Sequence, residues 1–345
     1  MRELIGELFG GEEAWVVGGA VRDQALGRPL LDLDVAVREP EPAARTLARR
    51  VGGAPFLLSE RHGAWRVVLG DGRTVDFTPL AGSIEDDLAT RDFGINAIAE
   101  RVGADERLVD PYDGRGDLAA RRIAAIGASV FRDDPLRLLR AVRLEDELAG
   151  FRIAPETEAL IRRDAALVTR PAGERVLAEL LRLSPAGYRR LDELGLLEPL
   201  GGAVDGRLER WDSPEYRLVA VFGDRLRRLP VSNELRRLAA ALRRAERPER
   251  DARSIHRFRR ATEPWTLEAL AFVDALDLRD AVEEARRREP AEPLVRGDEL
   301  GLPPGPDIGR LLAEIDEERA AGTIASREEA LNYARRHAGA VREDG

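Results

Sequence analysis

The chain has 345 residues, 43% hydrophobic and 34% charged, the balance of a soluble globular protein with two or three folding units. It has no cysteine and all 55 of its basic residues are arginine. That excludes thiol nucleophiles, cysteine-held zinc, iron–sulfur clusters, disulfides, a Schiff-base lysine and a phosphate-loop lysine. The net charge of −9 argues against nucleic-acid binding over the whole surface and leaves room for a local basic face. No apolar run is long enough to cross a bilayer, and the opening MRELIGELFGGEEAW is amphipathic rather than a secretory leader, so a cytoplasmic location without a membrane partner is expected.

From Ala14 to about Leu80, β-branched runs alternate with helical stretches in AWVVGG, AVRDQALG, DLDVAV, PAARTLARRV, PFLLSER, AWRVVL and TVDFTPL. The pattern predicts an α/β head, a small mixed sheet with helices. After about Phe131 strands are expected to stop. Helical periodicity in DDPLRLLRAVRLEDELAG, PETEALIRRDAALVTR and AGERVLAELLRL predicts an all-α remainder. SPAG (Ser184 to Gly187), GGAVDG (Gly201 to Gly206) and GLPPGPDIG (Gly301 to Gly309) read as joints between helical units, and the closing REDG as a frayed end.

The segment VVGGAVRDQALGRPLLDLDVAV carries the first chemistry. Gly18 and Gly19 form a turn between a strand and a helix, and Asp32 and Asp34 stand two apart on the next strand, pointing to one face. Two carboxylates on one face suit one or two Mg²⁺ ions, with Mn²⁺ as the alternative, while the glycines let a phosphate approach the helix start. A lone D-x-D is more often a solvated strand edge. Here the glycines and Arg22-Asp23 around it favour a nucleoside triphosphate site.

This constellation resembles the nucleotidyltransferase superfamily of DNA polymerase beta, specifically the class II CCA-adding enzymes and bacterial poly(A) polymerases, whose first motif is GGxVRD followed by DxD. EDDLATRDFGINAIA is similar to that family's EDLxRRDFTINA, and VDPYDGRGDL to its next segment. FRDDPLRLLRAVRL resembles EDxxRxxRAxRF, GERVLAELLRL the neck motif ERxxxEL, and RGDELGLPPGPDIGRLLAEI a C-terminal segment of bacterial members. The resemblance implies a catalytic head over 1–125, a helical neck with a nucleobase-selecting motif over 126–200, and a helical body and tail over 201–345. It also implies nucleotidyl transfer from CTP or ATP to a tRNA 3′ end, with tRNA rather than DNA as the macromolecular partner.

Carried over residue by residue, the resemblance makes Asp32 and Asp34 the ligands of two Mg²⁺ ions. It makes Asp76 a third catalytic candidate, with a solvent-facing strand aspartate as the other reading. Arg22 and Arg91 would neutralise phosphate charge; Asp92 and Asn96 would position the sugar. Asp133, Asp134, Arg137 and Arg140 fall in the nucleobase motif. An Asp134 acceptor beside an Arg137 donor, three apart on one helix face, complements the amino group and ring nitrogen of cytosine and adenine and opposes guanine and uracil.

Thr90, Gly94 and Ala81 depart from the usual arginine, threonine and arginine, and Asp133 replaces glutamate. TPLAGSIEDDLATRDF joins two motifs that a flexible loop separates in CCA-adding relatives. Within the family, loss of this loop marks enzymes that add CC and leave the adenosine to a partner. Full CCA addition, a poly(A) polymerase and a non-catalytic tRNA-binding protein are the alternatives.

Between Arg225 and Arg260 the chain is strongly basic. Arg225, Arg228, Arg236, Arg237, Arg243 and Arg244 are the candidate tRNA contacts, as a stripe along a phosphate backbone. An arginine-rich solvated face with i,i+4 pairs is the equal alternative. His62, His256 and His337 are far apart, without adjacent aspartates, and read as surface or packing residues.

Overall fold

A computed structural model describes residues 1–60, 63–103, 107–204, 206, 208–290 and 292–338; His62 and the closing REDG lie outside the described residues. The chain forms two compact units, Met1–Val204 and Asp205–Gly345. The segments read as head and neck both fall within the first.

The first unit begins with α1 (Arg2–Phe9), β1 (Ala14–Val17), α2 (Gly19–Ala25), β2 (Asp32–Val37), α3 (Pro40–Val51), β3 (Pro55–Ser59), β4 (Ala64–Val68) and β5 (Thr74–Pro79). It continues through α4 (Ile84–Leu88), β6 (Ala99–Arg101), β7 (Leu108–Val109), α5 (Gly114–Ala120) and β8 (Arg122–Ile123). Among the described residues seven strands form one mixed sheet in the order β3-β4-β5-β2-β1-β6-β7. β2 runs parallel to β5 and antiparallel to β1, with Asp34 opposite Val17 on one side and Asp76 on the other. Leu33, Val35 and Val37 are buried on one face of β2, and Ala36 on the other packs with Trp15, Val17, Leu80, Ile84 and Leu88. Asp32 and Asp34 precede Ala36 on that second face, so the alternation that builds the core also aims both carboxylates one way.

The mostly helical part follows as α6 (Val130–Asp133), α7 (Arg137–Glu147), β9 (Arg152–Ile153), α8 (Pro155–Asp164), α9 (Gly173–Leu180), α10 (Pro185–Glu193) and α11 (Leu197–Leu200). Strands do not stop at Phe131: β9 pairs in parallel with β8, Ile123 opposite Ile153. A two-residue run carries no period, so only its partner reveals it. Ser184 caps α10 through its side chain with Pro185 in the first turn, which makes SPAG a helix start.

In the second unit α12 (Pro214–Phe222), a 3-10 turn at Gly223–Arg228, α13 (Asn233–Arg244), α14 (Ala252–Thr262), α15 (Thr266–Phe272), α16 (Arg279–Arg288), α17 (Pro306–Ala320) and α18 (Arg327–His337) pack through apolar faces. Leu235, Leu238, Ala241 and Leu242 of α13 are buried and its arginines exposed, as a helix with one apolar stripe requires. Val295, Ile315, Ile324, Ala330 and Ala334 form a further cluster. His256 is partly buried on α14, and His337 stacks on Tyr333 with ring centroids 4.0 Å apart, so both pack.

A close approach of two backbones sets the edge of the head. A Cβ on Gly114 would lie 2.1 Å from the Gly94 carbonyl oxygen and 2.8 Å from Ile98 Cγ1, contact that rigid backbone cannot relieve. Gly114→Ala is therefore expected to destabilise the protein by about 3 kcal/mol. Gly6→Ala, on an open face of α1 with nothing within 4 Å, is expected to be neutral or to stabilise by about 0.5–1 kcal/mol. Chemical denaturation of the two variants checks both, and equal midpoints would contradict the packing argument.

Candidate active site

One cleft of about 570 Å³ opens in the first unit. The loop after β1 brings Gly18 and Gly19 to it, α2 brings Arg22 and Asp23, and β2 brings Asp32 and Asp34. The segment after α4 adds Thr90, Arg91, Asp92 and Asn96, and the α6–α7 region adds Asp134, Arg137 and Arg140.

Gly18 has φ +69°, a conformation that only glycine adopts without strain. A Cβ there would also sit 2.8 Å from Arg91 Nη1 and 3.7 Å from Asp34 Oδ2. The missing side chain leaves room between an arginine and a carboxylate at the start of α2. Arg91 is held by Asp87 four residues earlier, its Nη2 donating to Oδ2 at 2.7 Å.

Burial pushes the Asp34 carboxyl up from its usual range; Arg91 opposes this and Asp76 and Asp32 reinforce it. Asp32 accepts from Thr74 Oγ1 at 2.5 Å. Asp76 on β5 is the register partner of Asp34 but does not line the cleft. Arg66 of β4, its register partner, clamps it with Nε to Oδ1 at 2.6 Å and Nη2 to Oδ2 at 2.7 Å. Among the described residues no three His, Cys, Asp or Glu side chains converge as a metal cluster. The donor set at β2 is thus two carboxylates. A half-buried acid crowded by like charge beside an exposed one is chemistry that a divalent cation relieves, so the pair fits a hard, oxygen-bound ion.

Asp92 is buried and all of its acceptor capacity faces protein. Oδ1 accepts from Phe93 N and Asn96 Nδ2, each at 2.9 Å, and Oδ2 from Arg140 Nε at 2.9 Å. Burial alone would raise this carboxyl, but Arg140, Asn96 and the Phe93 N–H together hold it below its usual range. Asn96 Oδ1 in turn accepts from Arg22 Nη1 at 2.7 Å, and Arg22 donates to Asp23.

Asp134 and Arg137 meet in the cleft by a different route from one helix face. Asp134 is extended, φ −142° and ψ 101°, in the break between α6 and α7, because a residue before proline avoids the helical region. Its Oδ1 accepts from Leu136 N at 3.2 Å, and its Oδ2 from Arg175 Nη2 at 2.7 Å. Arg137 opens α7 and donates to the Thr90 and Val130 carbonyls. Asp133 is exposed, accepts from Ser129 Oγ at 2.8 Å and stands outside the cleft lining.

The cleft also holds Arg28, Arg143, Glu147, Arg175 and Arg182, none of them among the candidate site residues, although Arg143 and Arg175 stand at arginine positions of EDxxRxxRAxRF and ERxxxEL. Arg143 is buried, donating to Glu179 at 2.5 Å and to Glu147 at 2.7 Å. A periodic signal accompanies them: Arg137, Arg140 and Arg143 recur every three residues along α7, and Arg175 and Glu179 stand four apart on one face of α9, with Arg182 just past its end.

In the second unit Arg225, Arg228, Arg236, Arg237, Arg243 and Arg244 are all exposed. Arg243 pairs with Asp224, Arg236 bonds Asn233 and Arg244 the Ala261 carbonyl.

Comparison with known proteins gives the family of the chain. Residues 14–81 and 70–124 match the poly A polymerase head domain, and 150–201 the probable RNA and SrmB-binding site of polymerase A. The CC-adding tRNA nucleotidyltransferase of Geobacter sulfurreducens is 48% identical over 177 residues, which cover 50% of this chain and 41% of that protein. The A-adding enzyme of Deinococcus radiodurans is 33% identical, covering 94% of this chain and 95% of that one. The CC-adding enzyme of Thermus thermophilus is also 33% identical, with 93% of each covered. The fold is shared with the Thermotoga maritima CCA-adding enzyme complexed with tRNA, at a TM-score of 0.67 and 21% identity over 97% of this chain and 94% of that one. It is shared likewise with a CCA-adding enzyme in complex with CTP, at 0.71 and 21% over 98% and 94%. The chain belongs to the tRNA nucleotidyltransferase family, which includes the CC-adding, A-adding and CCA-adding enzymes.

Proposed function

We propose that this enzyme adds two cytidines to the 3′ end of tRNA from CTP, without a nucleic-acid template and with release of pyrophosphate. The carrying observation is that the cleft with the strand carboxylates Asp32 and Asp34 also holds Asp134 and Arg137.

Asp32 and Asp34 would hold Mg²⁺, two ions being the expected complement and Mn²⁺ the alternative, which supplies a more acidic primer hydroxyl and charge neutralisation on the triphosphate. Asp76, clamped by Arg66, acts on Asp34 through its charge. Arg91 and Arg22, at the Gly18-Gly19 turn, neutralise phosphate oxygens, and the absent side chains let those oxygens approach the backbone. Asp92 holds Arg140 and Asn96, so its part in placing the sugar runs through the groups it bonds.

Base choice follows from donor and acceptor order. Asp134 accepts from the exocyclic amino group and Arg137 donates to the ring nitrogen beside it; uracil presents both in reverse and leaves the two polar groups unpaired. The stop at two cytidines rests on the direct link from Pro79 through Leu80, Ala81 and Gly82 to Ser83, the N-cap of α4. Ser83 and Asp86 close a capping box that fixes this link. Because the same pair also complements adenine, full CCA addition is the second reading.

On tRNA trimmed of its terminus, CTP alone is expected to give two added cytidines and ATP alone none. CTP with ATP should still end at CC, read at nucleotide resolution; an adenosine after CC would select the second reading. Asp32→Ala is expected to lower CTP incorporation by about a thousandfold or more with an unchanged circular dichroism spectrum, and retained incorporation would contradict the ligand assignment. Replacing Arg236, Arg237, Arg243 and Arg244 together by alanine should weaken tRNA binding and flatten its log–log salt dependence by about 2–4. An unaltered slope would make the stripe a solvated face.

A further inference from the structure

We infer that Arg175 is a positioning residue for base selection: it orients the Asp134 carboxylate and keeps it an acceptor, so that CTP is admitted and UTP refused. This rests on the reading of Asp134 given above.

Asp134 lies in an extended break between two helices, so no helical packing fixes its side chain. Two donors do. The Leu136 N–H bonds Oδ1 at 3.2 Å, and Arg175 spans both oxygens, Nη2 to Oδ2 at 2.7 Å and Nη1 to Oδ1 at 3.4 Å. A fork of this kind sets the plane of a carboxylate and leaves a lone pair on each oxygen for an incoming amino group.

The charge state matters as much as the plane. Protonated, Asp134 would carry an O–H donor and would match the 4-oxo group of uracil. Burial favours that neutral form; the bonds from Arg175 and the Leu136 N–H, with the charges of Arg175 and Arg137, hold the carboxyl below its usual range. Arg140 faces it as well. Arg137 and Arg140 have other engagements, with the Thr90 and Val130 carbonyls and with Asp92 and Glu179. Among the described residues, Arg175 is the arginine seen to bond the Asp134 carboxylate directly. One turn along α9, Glu179 takes Arg143 and Arg140 of α7, so the helix that carries Arg175 is itself tied to α7.

The test compares wild type, Arg175→Ala, Arg175→Lys, Asp134→Asn and the Arg175→Ala/Asp134→Asn double variant. It measures single-turnover incorporation of CTP and of UTP on trimmed tRNA from pH 5.5 to 7.5, with thermal unfolding alongside. Arg175 is half exposed, and Arg175→Gln, which keeps a donor without charge, replaces Arg175→Ala if that variant unfolds. The expected result is a CTP-to-UTP ratio about tenfold lower in Arg175→Ala and falling further toward low pH, with partial recovery in Arg175→Lys. The ratio should drop at least as far in Asp134→Asn, with no added loss in the double variant. A wild-type ratio in Arg175→Ala with a lowered one in Asp134→Asn overturns the role of Arg175 alone. A wild-type ratio in Asp134→Asn overturns the reading of the base pair itself, and the role of Arg175 with it.

Discussion

The buried carboxylate of Asp92 is the constraint around which the cleft is built. A charge taken out of water costs several kcal/mol unless it is paired and its lone pairs are filled. Asp92 meets that requirement by taking Arg140 from α7, Asn96 from its own segment and the Phe93 N–H. Satisfying one side chain therefore ties the helical segment to the sheet. Arg140 leads on to Glu179, Arg143 and Glu147, and Asn96 leads to Arg22 and Asp23. The polar groups around the cleft are fixed by each other before a nucleotide arrives, the preorganisation that lets a site act on developing charge without rearranging.

Only β2 separates itself from this balance. The other cleft carboxylates have arginine partners at hydrogen-bonding distance, among them Asp23, Asp92, Asp134 and Glu147. Asp32 bonds a threonine, and burial pushes the Asp34 carboxyl up, Asp76 and Asp32 adding to it against the charge of Arg91. Asp76, the third catalytic candidate, is matched by Arg66 on the adjacent strand. An arginine-only sequence makes such matching easy, since each guanidinium presents a fork that fits a carboxylate. Asp32 and Asp34 remain without one, and this is what the proposed cation site rests on.

Much of this was legible in the amino-acid order, for reasons that differ by element. The alternation in DLDVAV fixed which face Asp32 and Asp34 share, because side-chain period on a strand is two whatever surrounds it. The Gly-Gly turn was legible because positive φ at Gly18 needs glycine. The course of Asp134 is less so: a helical spacing of three suggests one face, whereas Asp134 lies before Pro135 in an extended break, and both residues line the cleft from either side of it. Nothing local announces that one oxygen of Asp92 is filled from a helix 48 residues on, the other being filled from its own segment. Arg175 and Arg143 carried a periodic signal, but a period says which residues share a face and not what that face meets. β9 escaped because two residues have no pattern.

The proposed nucleotide site makes a definite prediction about where the base and the metal lie. A crystal structure of the protein soaked with CTP and Mn²⁺, with data at the manganese edge, tests it most directly. The account predicts anomalous density against the carboxylates of Asp32 and Asp34, with the amino edge of cytosine turned to Asp134 and its ring nitrogen to Arg137. A nucleotide bound with its base away from that pair, or manganese held by other side chains, would contradict it.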